Sequence, residues 1–408
     1  MTRMVDVTFL IAAYNRRDVL LGTLAALRRC GLPAQTFETI VVDNASTDGT
    51  ANAVSVAFPE VRILAERVNR GACAKNAGLA IARGKYVVFL DDDSYPLPGS
   101  VARMIRDFEA DPSLGAAVFD VTLPDGSREC SAYPNVFIGC GTGFRRRALT
   151  QVGGLPEDFF MQAEEYDLSL RLLAAGWNVR RFDDLQVNHL KTPTARKSAR
   201  TTRLDVRNNL TLIARYFPDR WVMPFALDWT RRYAMLAAAR GHRLAHWQGV
   251  TEGFTRAVRG VERHPLTAEA FEKFARIDAI EQHMRDARDG MGLKAIVLAD
   301  LGKNLLAYWR AAKACGLQVV AIADDNLGGR GWRYRGVPIV KNEEARRAPF
   351  DAVLISNMSP VHAALRREWW RRNAQRGPVI DFFENEGLPT SAAVPGSSGS
   401  RRTAVRIA

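Results

Sequence analysis

A doubly wound α/β domain with a mostly parallel sheet, then a helical basic segment, then a second and smaller α/β domain, is the fold this chain predicts. Three observations point to it. Short apolar runs alternate with amphipathic stretches from residue 5 to residue 90, acid-rich clusters follow two of those runs directly, and the alternation resumes near Gly292 after a long stretch of helical spacing.

Residues 5–13 form an apolar run suited to a buried parallel strand, and residues 19–30 an amphipathic helix. ETIVVD at 38–43 is the next strand and 46–56 the next helix, followed by a strand at 61–65, a helix at 71–82 and the strand YVVFL at 86–90. Such sheets bind ligands beyond the carboxyl ends of their strands. Asp43-Asn44 and Asp91-Asp92-Asp93 fall at those ends. Further on, Val206, Leu210, Ile213 and Phe217 repeat at helical spacing, and the aromatic, basic stretch 221–247 reads as helix interrupted by Pro218, Pro224 and Gly241. Strands at 295–299, 319–323, 337–340 and 352–356, with a helix at 304–315, make the second α/β unit. The expected divisions are 1–215, 216–290 and 291–387, with a disordered tail at 388–408 rich in Ser, Gly and Pro.

A chain of 408 residues can bury two or three cores. Its first ten residues lack the apolar core of a signal peptide, and no stretch of eighteen apolar residues runs without a charge, so a cytoplasmic protein is expected, peripheral at most on the inner face of the cytoplasmic membrane. Cys30, Cys73, Cys130, Cys140 and Cys315 form no CxxC pair and read as ordinary reduced thiols. The net charge of +13 is concentrated: Lys191 to Arg259 holds fourteen Lys and Arg against four Asp and Glu. Nucleic acid, an anionic bilayer and a diphosphate would all suit that surface. With Trp221, Phe225, Trp229 and Trp247 among the basic residues, contact with an anionic membrane is expected, although a packed helical subdomain with a solvated basic face would read the same.

Three adjacent carboxylates at Asp91, Asp92 and Asp93 repel one another without a cation. Mg²⁺ and Mn²⁺ take oxygen ligands and bridge carboxylates to phosphates, although an acidic capping turn would look the same in isolation. Asp43 opens DNASTDGT, a tight polar turn, and its carboxylate can accept hydrogen bonds from a nucleobase imide or a ribose hydroxyl. Glu164-Glu165-x-Asp167 opens a helix whose Leu168 and Leu172 face inward; acids there can also serve merely as dipole partners. GCGTGF at 139–144 lacks the Lys-Ser/Thr of a phosphate loop.

FLIAAYNRRDVL, VVDNASTDGT, NRGACAKNAGLAIARGKYVVFLDDDSYP and GGLPEDFFMQAEEYDLSLRLLAAGW, in that order, resemble the family-2 glycosyltransferases, which have the GT-A fold; the resemblance covers roughly residues 5–215. It implies an inverting, metal-dependent, hexosyltransferase-type enzyme moving a sugar from a nucleotide-sugar donor to a hydroxyl of a glycan or lipid-linked acceptor, in surface polysaccharide or glycoconjugate assembly. On this resemblance Ala13, Tyr14, Asn15 and Arg16 line the nucleotide pocket and Asp43 binds the base. Asn69 and Gly71 sit by the nucleotide, with Lys75 or Asn76 near the donor. Asp91 and Asp93 form the DXD pair on Mn²⁺ or Mg²⁺, Asp93 most directly, while Asp92 contacts the donor sugar or ribose. His189 matches a histidine that completes the metal shell in some relatives, and Arg207 and Asn208 lie close to the diphosphate. The acidic motif usually reads Glu-Asp-x-Asp, its second acid being the general base. Glu165 holds that slot here, its extra methylene displaces the carboxylate, and Asp167 stays an alternative.

IVLADLGKNLLAYWRAAKACGLQVVAIADDN resembles the Rossmann-like nucleotide-binding modules attached to sugar-modifying enzymes. Gly302 stands alone where three glycines are expected, so packing or partner binding without NAD(P) is the expectation, although Asp324 and Asp325 end a strand where a ribose-binding acid would lie. A nucleotidyltransferase acting on sugar phosphates would use a similar metal-diphosphate site, but AAYNRRDVL lacks the glycines of its pyrophosphate loop. Nucleic-acid binding has no recognisable module to support it and is not expected. An inactive glycan-binding relative would not need these acids.

Overall fold

The computed structural model describes residues 5–191, 198–374 and 376–384; the tail from Leu388 lies outside them. Four parallel strands open the first sheet: β1 (Val7–Ala13), β2 (Phe37–Asp43), β3 (Arg62–Ala65) and β4 (Tyr86–Asp91), in the order β3-β2-β1-β4. They are linked by α1 (Arg17–Leu27), α2 (Thr50–Ala57) and α3 (Lys75–Ile81), the last preceded by a 3₁₀ turn at Gly71–Ala74. Register pairs Ala13 with Asp43 and Ala12 with Asp91, which brings the three carboxyl ends to one level.

Beyond β4 the sheet turns mixed. β5 (Ser94–Pro96), β6 (Leu114–Thr122), β7 (Arg128–Glu129), β8 (Thr142–Arg145) and β9 (Asn178–His189) continue it as β4-β8-β6-β9-β5, with β7 on β6. β8 runs antiparallel to both neighbours, and β6 is parallel to β9. Helices α4 (Ser100–Ala110), α5 (Arg146–Val152) and α6 (Glu164–Ala174) complete this layer. The core strands are buried on both faces, as their continuous apolar runs require.

Five helices follow: α7 (Ala199–Tyr216), α8 (Asp219–Arg240), α9 (Arg243–Arg259), α10 (Ala268–Ala275) and α11 (Ile277–Met291). Gly241 ends α8 in a left-handed cap, as its lack of a Cβ allows, but Pro224 does not interrupt the helix. The penalty of a missing helical hydrogen bond at Pro224 is offset by burying Trp221, Phe225 and Trp229 beside Phe217, Phe271 and Phe274, each ring worth about 1.5–3 kcal/mol. Those three aromatics are therefore core residues and not available to a membrane. Only Trp247 of the four named from the sequence is exposed, at 62%.

The second sheet contains β10 (Ala295–Ala299), β11 (Gln318–Ala323), β12 (Arg333–Tyr334), β13 (Val337–Val340), β14 (Ala352–Ile355) and β15 (Val379–Ile380), in the order β12-β13-β11-β10-β14-β15. Helices α12 (Leu305–Ala314), α13 (Asn342–Ala345) and α14 (Pro360–Asn373) connect its strands. One hydrophobic core runs from Tyr166 and Leu170 of α6 through the aromatics of α8 and α10 to Ile296 and Leu298 of β10. The helical segment thus joins the two sheets through a shared interior.

Candidate functional site

The acid-rich ends of β2 and β4 and the end of β9 converge. Asp93 accepts from Arg16 Nη2 at 2.8 Å and faces His189 Nε2 at 3.0 Å; Arg16 Nη1 also lies 3.3 Å from Asp92. Lys75, nearly buried, donates from Nζ to Asp91 and to the Gly139 carbonyl, both at 3.1 Å. Asp43 accepts from the backbone N–H of Ser46 at 3.1 Å, and the Asn15 carboxamide oxygen accepts from Thr47 N–H at 2.7 Å, so these two residues shape the polar turn after β2. Tyr14 beside them is 46% exposed, and Ala13 is buried at the end of β1.

Burial dominates the electrostatics. It lifts Asp92 to about 7, with Asp93 and Asp91 adding repulsion that Arg16 only partly offsets. For Asp93 burial is outweighed by His189 and Arg16, which hold it below the ordinary carboxylate range. Burial works against charge on His189, but hydrogen bonds with Asp93, Cys140 and Glu129 raise it to about 12.

Asp91, Cys140 and His189 bring ligand-type atoms within 4.8 Å of one another, and Asp93 touches the same imidazole. Burial pushes the Cys140 thiol up, so it stays protonated and is a poor ligand. Asp91, Asp93 and His189 offer two hard carboxylates and one imidazole, a donor set that fits a divalent cation once the cation displaces the Nε2 proton that His189 shares with Asp93. Cys140 and Glu129, which accepts from His189 Nδ1 across 2.9 Å if that nitrogen carries the proton, were not singled out from sequence. Both sit near the β7 and β8 strands, whose pairing no local spacing announces.

The acidic motif divides by environment. Glu164 is buried and pushed well up by burial and by Glu165. Asp167 is 1% exposed and accepts from Arg171 Nε at 2.8 Å, Arg215 Nη1 at 2.9 Å and the Tyr216 hydroxyl at 2.8 Å. Glu165 is only half-buried. A Cβ added at Gly139 would lie 3.6 Å from Glu165 Oε1, so this carboxylate stands over the same glycine whose carbonyl accepts from Lys75.

The loop before α6 is strained: Phe160, Gln162 and Ala163 have φ of 66°, 72° and 66°. Asn208, fully buried, holds it by sharing its amide hydrogens among the carbonyls of Phe159 (3.1 Å), Met161 (2.9 Å) and Gln162 (2.7 Å). Arg207 donates to the same Phe159 carbonyl at 2.8 Å. Of the two side chains assigned to the diphosphate from the resemblance, Asn208 thus gives its amide hydrogens to this loop, while Arg207 gives it Nη2 and gives Nε to Asn208 Oδ1 at 2.7 Å. Asn76 is likewise tied to Leu155 and Glu157. Asn69 accepts from Gly71 N–H at 2.9 Å and from Asn44.

Gly71 has φ +64°, and a Cβ there would collide with the Phe160 carbonyl. Gly71→Ala is expected to lower stability by about 1–3 kcal/mol and to weaken nucleotide binding by displacing this loop. Thermal denaturation and nucleoside diphosphate titration read the two effects; unchanged values in both would show the contact to be dispensable.

The second domain reaches the same helix. Lys303, in the turn after β10, donates from Nζ to Asn209 Oδ1 at 2.9 Å and lies 3.9 Å from the Tyr166 ring centroid. Its carbonyl accepts from Trp229 Nε1 at 3.1 Å. Asp324 accepts the backbone N–H groups of Leu301, Asn326 and Leu327, and Asp325 those of the Asn342 backbone and side chain.

Residues 8–133 match Glycosyl transferase family 2 and residues 127–268 match Glycosyl transferase family group 2. Across the two models residues 8–268 carry the family-2 glycosyltransferase match, and the mixed α/β sheet followed by a smaller α/β sheet agrees with the two-unit α/β layout expected from the sequence. Over 128 residues it is 38% identical to the succinoglycan biosynthesis protein ExoO of Rhizobium meliloti (strain 1021), covering 30% of this chain and 35% of that protein. Over 111 residues it is 32% identical to the Escherichia coli UDP-Glc:alpha-D-GlcNAc-diphosphoundecaprenol beta-1,3-glucosyltransferase WfaP, covering 26% and 42%. The matched region thus spans less than half the length of either relative. The mannosyltransferase PcManGT from Pyrobaculum calidifontis, solved with GDP-Man and Mn²⁺, matches at 20% identity and a TM-score of 0.44 over 77% of this chain and 88% of that one; a likeness so loose carries no argument. Among the described residues no helix is long and apolar enough to cross a membrane.

Proposed function

We propose that the chain transfers a sugar, with inversion, from a nucleotide-sugar donor to a hydroxyl of a glycan or lipid-linked acceptor in surface polysaccharide or glycoconjugate assembly. The observation that carries this reading is the continuity from Glu165 over Gly139 and Lys75 to Asp91, which sets an acid beside a cation-ready cluster at the strand ends. Asp91, Asp93 and His189 would hold Mn²⁺ or Mg²⁺, whose charge offsets that developing on the departing diphosphate. Arg16 and Lys75 supply fixed positive charge at the same place. Asp43 and the Asn15 turn receive the base and ribose through acceptor oxygens. Glu165 takes the acceptor proton as the hydroxyl attacks the anomeric carbon. A lipid-linked acceptor would bring the enzyme to the inner face of the cytoplasmic membrane.

The test is a screen of nucleotide-sugars for nucleotide release and for thermal stabilisation, with and without Mn²⁺. One donor class should stand out in both; if none is hydrolysed or bound, the transferase reading falls.

The second domain, on this reading, serves packing. The turn that would cradle a dinucleotide phosphate is committed to Trp229 and Asn209, and both candidate ribose acids are committed to turns. Purified protein is expected to carry no NAD(P) and to show no millimolar-range thermal shift with it. Stoichiometric NAD(P) in the purified protein, read by absorbance and mass spectrometry, would overturn this.

A further inference from the structure

Helix α9 is fixed by its glycines. Gly249 and Gly253 face α7, where an added Cβ would sit 2.5 Å from the Arg203 carbonyl oxygen and 2.8 Å from Leu210 Cβ. Ala245 and His246 are buried on the same side. No other rotation of the helix lets α7 approach so closely, so the opposite face must point outward. That face is apolar: Leu244, Trp247, Phe254 and Val258 are 73%, 62%, 65% and 68% exposed. Their spacing of three, seven and four residues puts all four on one stripe of an α-helix, about 21 Å long at the helical rise. Thr251 fills the remaining position of the stripe.

Such a row of large exposed side chains marks an interaction surface. Its charge identifies the partner. Arg240, Arg243 and Arg259 are exposed at the two ends of the stripe, and no carboxylate among the described residues pairs with them. A second copy of the chain laid on the stripe would oppose arginine to arginine. An anionic bilayer would accept the apolar row between headgroups while its phosphates neutralise the flanking guanidinium groups. We propose that α9 is a membrane-docking helix, lying along an anionic lipid surface with Leu244, Trp247, Phe254 and Val258 inserted at the headgroup boundary. This rests on the functional reading for the acceptor it would approach, but not for the contact itself. Helix α9 lies on α7, and α7 carries Asn208, the clamp of the loop before Glu165, so the docked face belongs to the helical layer that packs on this loop.

Sedimentation of the full chain with phosphatidylcholine vesicles, with and without about a third phosphatidylglycerol, tests it. Wild type should bind the anionic vesicles and not the neutral ones, with a blue shift of Trp247 emission. Trp247→Ser with Phe254→Ser should weaken that binding by at least about tenfold while leaving the melting temperature and donor hydrolysis unchanged, since both residues are already exposed. Arg243→Glu with Arg259→Glu should remove the dependence on anionic lipid. Failure of wild type to bind, or equal binding by the serine variant, overturns the proposal. So does a dimer in solution that Trp247→Ser disperses, which would assign the stripe to self-association. Donor hydrolysis measured on the same samples separates these outcomes from a failure of the transferase reading.

Discussion

Asp93→Asn is expected to lower sugar transfer by about three orders of magnitude, and to abolish the response to Mn²⁺. The expected size is that of losing several kcal/mol of charge stabilisation on a leaving diphosphate, at about 1.4 kcal/mol per decade. The structure gives the residue two further duties, since its carboxylate also faces Arg16 at 2.8 Å and His189 at 3.0 Å. Removing its charge leaves both cationic groups less compensated in a nearly buried site, so a drop in melting temperature is expected as well. Activity loss alone would therefore be ambiguous. The decisive measurement is the shift in melting temperature on adding Mn²⁺ with a nucleoside diphosphate. Wild type should be stabilised by the pair together more than by either alone, and Asp93→Asn should not. Full transfer by either protein in EDTA would remove the cation from the mechanism, and the cluster would then act through Arg16 and Lys75.

The parts of the site that could be read in the sequence are those whose position follows from strand periodicity. Asp43 and Asp91 each end an apolar run, and parallel register alone brings them level, as the pairing of Ala13 with Asp43 and Ala12 with Asp91 shows. What could not be read depends on pairing between distant segments. Cys140 and Glu129 join His189 only because β7 and β8 both pair with β6, which also carries β9. Arg207 and Asn208 follow the family pattern in sequence, yet Asn208 gives its amide hydrogens to three carbonyls of a loop some fifty positions away, and Arg207 donates to one of them and to Asn208. Composition also misled. Trp221, Phe225 and Trp229 lie in a basic segment but form the core between the two sheets, because their spacing of four places them on one face of α8. The exposed stripe of α9 was hidden for the opposite reason: its inner face is made of glycines, which carry no hydrophobic signal, so the apolar residues that can be seen in the sequence are those facing outward.

Glu165→Gln and Asp167→Asn should part company in a way the sequence left open. Asp167 accepts from two arginines and a tyrosine while almost wholly buried, so no lone pair remains well placed to take an acceptor proton. Replacing it with asparagine substitutes a donor for one acceptor oxygen and leaves Arg171 and Arg215 short of charge. Breaking a buried pair in this way is expected to remove about 3 kcal/mol of stability, seen as a fall in melting temperature of roughly 5–10 °C. Glu164 is buried, and burial with the neighbouring Glu165 charge disfavours its charged form. Glu165 combines partial solvent access with a position over Gly139, beside the Lys75 and Asp91 contacts. Glu165→Gln keeps its size and much of its hydrogen bonding but loses the basic oxygen. It should therefore reduce kcat by about 10²- to 10⁴-fold while leaving donor affinity and melting temperature near wild type. The matched pair makes the assignment falsifiable: transfer that survives in Glu165→Gln but is lost in a folded Asp167→Asn protein would exchange the two roles, and activity in both would make the acidic motif structural.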